Sequence, residues 1–314
     1  RYPHRTEGAR LTHEDKNWPR ASQWLAGGRN GHHAFALAVI GIPMNASVTP
    51  GRCDLAPGAI REALSRYSLF DEDASVDLSR IRPKDCGDVV LVGNSPDGNF
   101  FRCADLIKRM RMDIASTVLL GGDNAITRPG VHALGVPLER AGLLTFDAHH
   151  DLRDLEHGLT NGNPVRALLR DGLPGENIVQ IGIQSFANSP EYARVARDAG
   201  ITVVTADRVL EHGIETMTAH ALQHLSEHTD AIYVDLDVDV LDRAFAPGCP
   251  GARPGGLSPW MLRKAARLCG RHEKVRMMDL VEVDPTKDVA DVTTLAAASF
   301  LLAFASGIAS RAHD

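Results

Sequence analysis

The sequence predicts an α/β protein built on one parallel sheet covered on both faces. Short apolar runs that do not alternate with polar residues recur at 35–42, 117–120, 142–146, 178–183, 201–205 and 231–234, and a further strand at 275–283 carries Asp279 and Glu282. Such runs are what strands buried on both faces look like. Helical segments fall between them, several opened by proline. Several runs also break off into clusters of polar residues, and in sheets of this kind ligands bind beyond the carboxyl ends of the strands. No linker, composition break or internal repeat divides the chain, so a single domain is expected over 34–314, preceded by an arm.

The arm, 1–33, is polar and rich in Arg, His and Gly. Trp18 and Trp24, six residues apart, are its expected anchors, on one amphipathic helix. A first strand at 35–42 leads through a loop at 43–54 to a helix begun by Pro57. A short strand is expected at 88–92 and a helix at 100–116. The strand at 117–120 ends in Gly121, Gly122, Asp123 and Asn124, where two glycines let the backbone turn and approach a ligand closely. A helix at 125–134, the strand at 142–146, a polar loop at 152–163 and a helix at 164–170 follow. Next come a strand at 178–183, a helix at 190–199, a strand at 201–205 and a helix at 214–228. The loop 247–256 is dense in Gly and Pro, and helices at 259–268 and 292–306 flank the last strand. The apolar stretch 295–308 is too short for a membrane span and carries Ser299 and Ser306, so it reads as a core helix.

Composition narrows the function. The 314 residues are 44% hydrophobic and 24% charged, an ordinary globular balance. A net charge of −6 without a long basic run excludes nucleic acid as the expected partner. Five cysteines lack CxxC spacing and read as reduced thiols of a cytoplasmic protein. Residues 1–15 carry no signal-peptide core, and no membrane association is expected.

Two stretches carry chemistry. After the 142–146 run come Asp147, Ala148, His149, His150 and Asp151. If the extended backbone continues, Asp147, His149 and Asp151 point to one side and can hold a divalent metal. Turn and capping residues are the plain alternative. The 231–234 run opens into Asp235, Asp237, Asp239 and Asp242. Alternating carboxylates on one buried face repel one another or take up protons unless a cation is present. Two such strands suggest two metals sharing a carboxylate, an arrangement that generates hydroxide at neutral pH and clamps a tetrahedral intermediate.

Gly121-Gly122-Asp123-Asn124, Asp147 to Asp151, Asp237-Val238-Asp239-Val240-Leu241-Asp242, Ala246-Pro247-Gly248 with Gly255-Gly256-Leu257, and Asp279-Leu280-Val281-Glu282-Val283 resemble, in the same order, the motifs of the ureohydrolase (arginase and agmatinase) superfamily. Gly41-Ile42-Pro43 and Gly58-Ala59-Ile60-Arg61 fit as well, and the likeness spans about 37–305. It implies a three-layer α/β/α, arginase-like fold, two Mn2+ per chain, hydrolysis of a C–N bond at an amidine or guanidine carbon, and a homo-oligomer of three or six subunits. The resemblance further implies that Asp147 and Asp237 bridge the metals. His149 and Asp239 complete one, and Asp151 the other. Asp151 would also hold the bridging hydroxide and pass on its proton, and Glu282 would bind the substrate's cationic nitrogens.

Two departures matter. Asn124 stands where the family usually has a metal-binding His, and an amide oxygen is a harder, neutral donor. Asn161 falls near the proton-shuttling His of arginases and cannot titrate. It is retained as a substrate contact, and His150 or His157 becomes the candidate proton donor, with exposed loop histidines as the alternative. Arg243 replaces a usual Pro, which touches backbone stiffness. The stretches His149 to Asp154 and Thr160 to Arg166 look most like the formimidoylglutamase branch, whose substrate is N-formimidoyl-glutamate in histidine degradation. Arg153 and Arg166 would then bind its carboxylates, or else pair with Asp154, Glu156 or a neighbouring subunit. Agmatine, arginine or a guanidino acid is the alternative substrate. A non-catalytic homologue and a single-zinc deacetylase-like hydrolase are the alternatives of other classes.

Overall fold

The computed structural model describes residues 15–27, 34–111 and 114–311. Eight strands form one sheet: β1 (Phe35–Ile42), β2 (Arg82–Asp88), β3 (Ser116–Gly121), β4 (Ala141–Phe146), β5 (Ile178–Ile183), β6 (Thr202–Thr205), β7 (Ala231–Asp237) and β8 (Val275–Val281). Their order is β2-β1-β3-β8-β7-β4-β5-β6, and every pairing is parallel. Two apolar clusters cover its two faces. One joins Leu37, Val118, Leu144, Val234 and Leu280 to helices α2 (Ala56–Ala63), α8 (Ile214–His228), α9 (Pro259–Arg271) and α10 (Val292–Ser310). The other joins Ile40, Leu119, Leu143, Tyr233 and Met277 to α3 (Pro96–Arg111), α4 (Thr127–His132), α5 (Pro164–Asp171) and α6 (Pro190–Asp198). This is the expected three-layer α/β/α fold.

The four strands that end in the polar clusters, β3, β8, β7 and β4, lie side by side at the middle of the sheet. The chain leaves β3, builds the β4–β5–β6 flank, and returns to insert β7 and β8 into the gap. Residues more than a hundred positions apart thus end on one rim.

Several expectations shift. The strand expected at 88–92 lies at Arg82–Asp88. It is an edge strand, paired only with β1, so Arg82, Lys84 and Asp85 stand where a buried strand would be apolar. The helix expected at 100–116 runs from Pro96 to Arg111, and Ser116 already opens β3. A further helix, α7 (Ala206–His212), and a two-strand hairpin, Phe70–Asp71 with Val76–Asp77, were not foreseen. Of the expected arm, only 15–27 are among the described residues. There Trp24 sits buried on helix α1 (Ala21–Leu25) and donates its Nε1–H to the Ile81 carbonyl, whereas Trp18 is half exposed and lies before that helix. The 295–308 stretch belongs to the 19-residue α10, long enough to cross a membrane by length alone. Burial of Phe300, Leu301 and Phe304, with packing on α9 and α2, makes it a core helix.

Candidate metal centre and cleft

Both acidic stretches leave the sheet earlier than strand alternation would require. β4 ends at Phe146 and β7 at Asp237, so turns, not a shared strand face, bring the side chains together. Asp147 Oδ1 accepts the His149 N–H at 2.6 Å, and Asp237 Oδ1 accepts the Asp239 N–H at 2.8 Å. Each aspartate closes a tight turn over its own chain. The turns are linked, since Ala148 N–H donates to Asp239 Oδ1 at 3.1 Å. Asp235, expected on the same face as Asp237 and Asp239, lies within the sheet beneath them, its Cα paired with Thr145 and Asp279.

Asp151 and Glu282 hold left-handed backbone, with φ of 53° and 66°. For non-glycine residues this conformation costs about 1–3 kcal/mol each and concentrates at functional sites. Hydrogen bonds on either side hold it in place. The Asp151 carbonyl accepts from Arg166 N–H at 3.1 Å, and Glu282 N–H donates to the Gly122 carbonyl at 3.0 Å. Gly122 is required where it stands, because a Cβ there would lie 1.7 Å from the Met44 carbonyl oxygen.

One cleft opens over this floor, lined among others by His149, Asp151, Arg153, Asn161, Asp237, Asp239 and Glu282. Donor atoms of Asp147, His149 and Asp239 lie within 4.8 Å of one another. Glu282 Oε1 accepts from Asn124 N–H at 2.9 Å and from Asn161 Nδ2 at 3.1 Å. The Asn124 amide nitrogen faces Asp147 Oδ2 at 3.5 Å and donates to Asp151 Oδ2. Asp147, Asp151, Asp237, Asp239 and Glu282 are therefore packed together, all of them buried.

Electrostatics shows how such a floor can exist. Burial, then the Asp239 charge, pushes Asp147 up to about 7. Burial, then Asp123, pushes Glu282 up to about 8. Asp151 and Asp237 lie well above the usual carboxylate range, for the same two kinds of reason. Burial opposes charge on His149, but Asp239 and Asp147 outweigh it and raise the ring to about 11. Its Nδ1 is 2.7 Å from Asp239 Oδ2. Without a cation, this set of hard oxygen donors and one imidazole is frustrated by its own charge. With a divalent cation it is a normal coordination shell. The residues present therefore fit a metal.

Other expected site residues are distributed less evenly. His150 does not line the cleft: it is 4% exposed, with Nδ1 2.7 Å from Gln180 Oε1, and burial lowers its pKa. The strand-end turn points His149 into the cleft and His150 into the body. His157 is exposed in the 152–163 loop. Arg153 lines the cleft, whereas Arg166 sits on α5 outside the lining and contributes its backbone N–H. Arg243, in place of Pro, braces the Gly- and Pro-rich loop by donating Nη1 to the Cys249 and Ala252 carbonyls at 2.9 and 3.3 Å.

That loop supplies a cleft residue that sequence reasoning missed. Arg253 lines the wall, with Nη1 2.8 Å from His149 Nε2. Its one signal was a cation set among Gly and Pro just past a metal-like strand. Gly251 lets the loop approach, since a Cβ there would meet Asp239 Oδ2 at 2.4 Å. Asn188, in the connection after β5, and Tyr192, on α6, also line the cleft.

Known proteins are similar to this chain in sequence and in fold. The Arginase family sequence model matches residues 35–306. A formimidoylglutamase of Halalkalibacterium halodurans is 36% identical over 88% of this chain and 89% of its own length. The crystal structure of formimidoylglutamase from Bacillus subtilis superposes with a TM-score of 0.88 at 31% identity, over 98% of this chain and 97% of that one. The Trypanosoma cruzi formiminoglutamase, solved with Mn2+, has the same fold, with a TM-score of 0.84 at 23% identity over 94% and 99% of the two chains.

Proposed function

Since the chain belongs to the arginase family, we propose that it hydrolyses N-formimidoyl-L-glutamate, with water, to L-glutamate and formamide. One observation carries the choice of substrate: the cleft has an anionic floor and two guanidinium groups, Arg153 and Arg253, in its lining. A molecule with an amidinium at one end and carboxylates at the other matches both. Agmatine, cationic at both ends, would meet two like charges. A guanidino acid shares the polarity with one carboxylate fewer and is the second reading.

In this proposal Asp147, His149, Asp151, Asp237, Asp239 and Asn124 would hold two Mn2+ per chain, with Asp147 and Asp237 serving both ions. The metal pair supplies Lewis acidity and makes water acidic enough to attack at neutral pH. Glu282, turned into the cleft by its left-handed backbone, accepts hydrogen bonds from the amidinium nitrogens and fixes the reacting carbon over the floor. Asn161 holds Glu282 in place through its Nδ2 and offers the substrate no proton. With His150 turned into the body, proton transfer falls to Asp151. A carboxylate oxygen of Asp151 takes the proton released by the attacking water and returns it to the glutamate nitrogen as the C–N bond breaks. Arg153 and Arg253 grip the carboxylates.

Residues 34–314 act as one catalytic domain with 1–33 as its arm. The protein works in the cytoplasm in histidine degradation, as a homo-oligomer of three or six subunits. Five free cysteines are in keeping with a reducing compartment.

The test is a side-by-side assay of the manganese-loaded protein on formimidoyl-glutamate, agmatine, arginine and 4-guanidinobutyrate. Formamide release from formimidoyl-glutamate is the expected result. Urea release from a guanidino substrate, with formimidoyl-glutamate left intact, would overturn the substrate and keep the family chemistry.

A further inference from the structure

One layer below the cleft floor runs a polar row that the mechanism above does not use. Thr127, at the start of α4, is fully buried, and its hydroxyl lies between two acceptors. Asn124 Oδ1 is at 2.7 Å and Asp279 Oδ2 at 2.8 Å. Asp279 is anchored independently, accepting from Tyr233 O–H at 2.6 Å and from Leu236 N–H at 3.2 Å. A threonine hydroxyl has a single proton, so it donates to one of these neighbours at a time.

The two choices are not equivalent for Asn124. With the proton on the Asn124 side, Oδ1 accepts from Thr127 and Nδ2 points at the carboxylates of Asp147 and Asp151, as in the present structure. In that setting the amide presents N–H groups to the floor and cannot ligate a cation. With the proton on Asp279, the Thr127 oxygen is left as an acceptor. Rotation of the amide by half a turn then places Nδ2 on Thr127 and Oδ1 toward Asp147 and Asp151. That setting brings three oxygens together and is stable only with a cation among them.

We propose that Thr127, fixed by Asp279, is a positioning residue that turns the Asn124 amide oxygen toward the metal by accepting its N–H. The proposal rests on Asn124 being a metal ligand. A buried amide N–H left without an acceptor would favour the ligand-incompetent setting.

Manganese binding followed by calorimetry, with metal counted per chain, tests this on the full-length protein. Thr127→Val should weaken one of the two ions about tenfold or more, the range typical of outer-shell partners, and leave the other unchanged. Thr127→Ser, which keeps the hydroxyl, should bind both as the parent does. In an Asn124→Asp background, where either end of the side chain is an oxygen, the loss on Thr127→Val should disappear. That background also separates orientation from any general loosening of the fold, which would persist in it. Parent-like binding of both ions by Thr127→Val, or an equal loss in the Asn124→Asp background, overturns the inference. Asn124→Ala distinguishes the failures: if it too binds both ions normally, the ligand assignment itself is wrong, and if it loses one while Thr127→Val does not, only the role of Thr127 falls.

Discussion

On the floor of the cleft every carboxylate is buried, and four are set by backbone: Asp147 and Asp237 by their own turns, Asp151 and Glu282 by left-handed conformations pinned to α5 and to the turn after β3. The wall differs. Arg153 and Arg253 are exposed, lie on loops, and reach the cleft by long flexible side chains. The floor pays in strain and charge repulsion for a geometry that leaves little freedom, as metal chemistry demands. The wall only has to complement a substrate tail, and a mobile guanidinium does that at little cost to the fold. Change on the floor should therefore abolish the reaction, and change on the wall should redirect it.

The sharpest break is Asp237→Asn, which removes a charge that the proposed pair of ions would share. Both metals should be lost, and activity should fall by about a thousandfold or more, well past the roughly 10–100-fold cost of an outer partner. A variant that still carried two ions per chain would show that Asp237 does not bridge.

The wall should answer more mildly and in a different kinetic constant. Arg253→Ala should raise KM for formimidoyl-glutamate by about 10- to 100-fold with kcat nearly kept, the cost of a lost charged hydrogen bond. Arg166→Ala, outside the lining, should change KM by less than about threefold. The reverse ranking in steady-state kinetics would return the tail clamp to α5.

The smallest effect concerns stability without metal. Asp147 and Glu282 have folded-state pKa values raised to about 7 and about 8. The folded protein thus keeps protons that the unfolded chain releases at lower pH. Its stability should be greatest on the acid side and fall as pH rises through that window. His149, raised to about 11, works in the same direction above the ordinary histidine pKa. Melting temperature of the metal-stripped protein should therefore drop between pH 5 and pH 8, and manganese should remove the drop. A flat profile without metal would mean that the carboxylates do not repel one another as described.

The floor was legible in the sequence because its residues travel in short motifs. DxHxD and DxDVD carry their chemistry locally, and so does the Gly-Gly-Asp-Asn turn, whatever surrounds them. Even there the reason was partly different: strand alternation was expected to align the carboxylates, and turns closed by Asp147 and Asp237 do so instead. The wall was poorly legible. Arg166 and Arg253 look alike as isolated cations in a sequence, and only the path of the 243–256 loop, braced by Arg243, decides which one reaches the cleft. His149 and His150 are adjacent, and the direction of one turn separates a candidate ligand from a buried partner of Gln180.

Local patterning by itself determined the α/β class, the parallel sheet with both faces covered, and the identity of the acidic clusters, because periodicity and residue chemistry act over a few positions. Strand order, which sets β3, β8, β7 and β4 side by side, was decided only by the tertiary structure. So were the edge position of polar β2 and the choice of arginine on the wall. Each of these depends on contacts between segments far apart in the chain, and the free energy of such contacts is not written in any one of them.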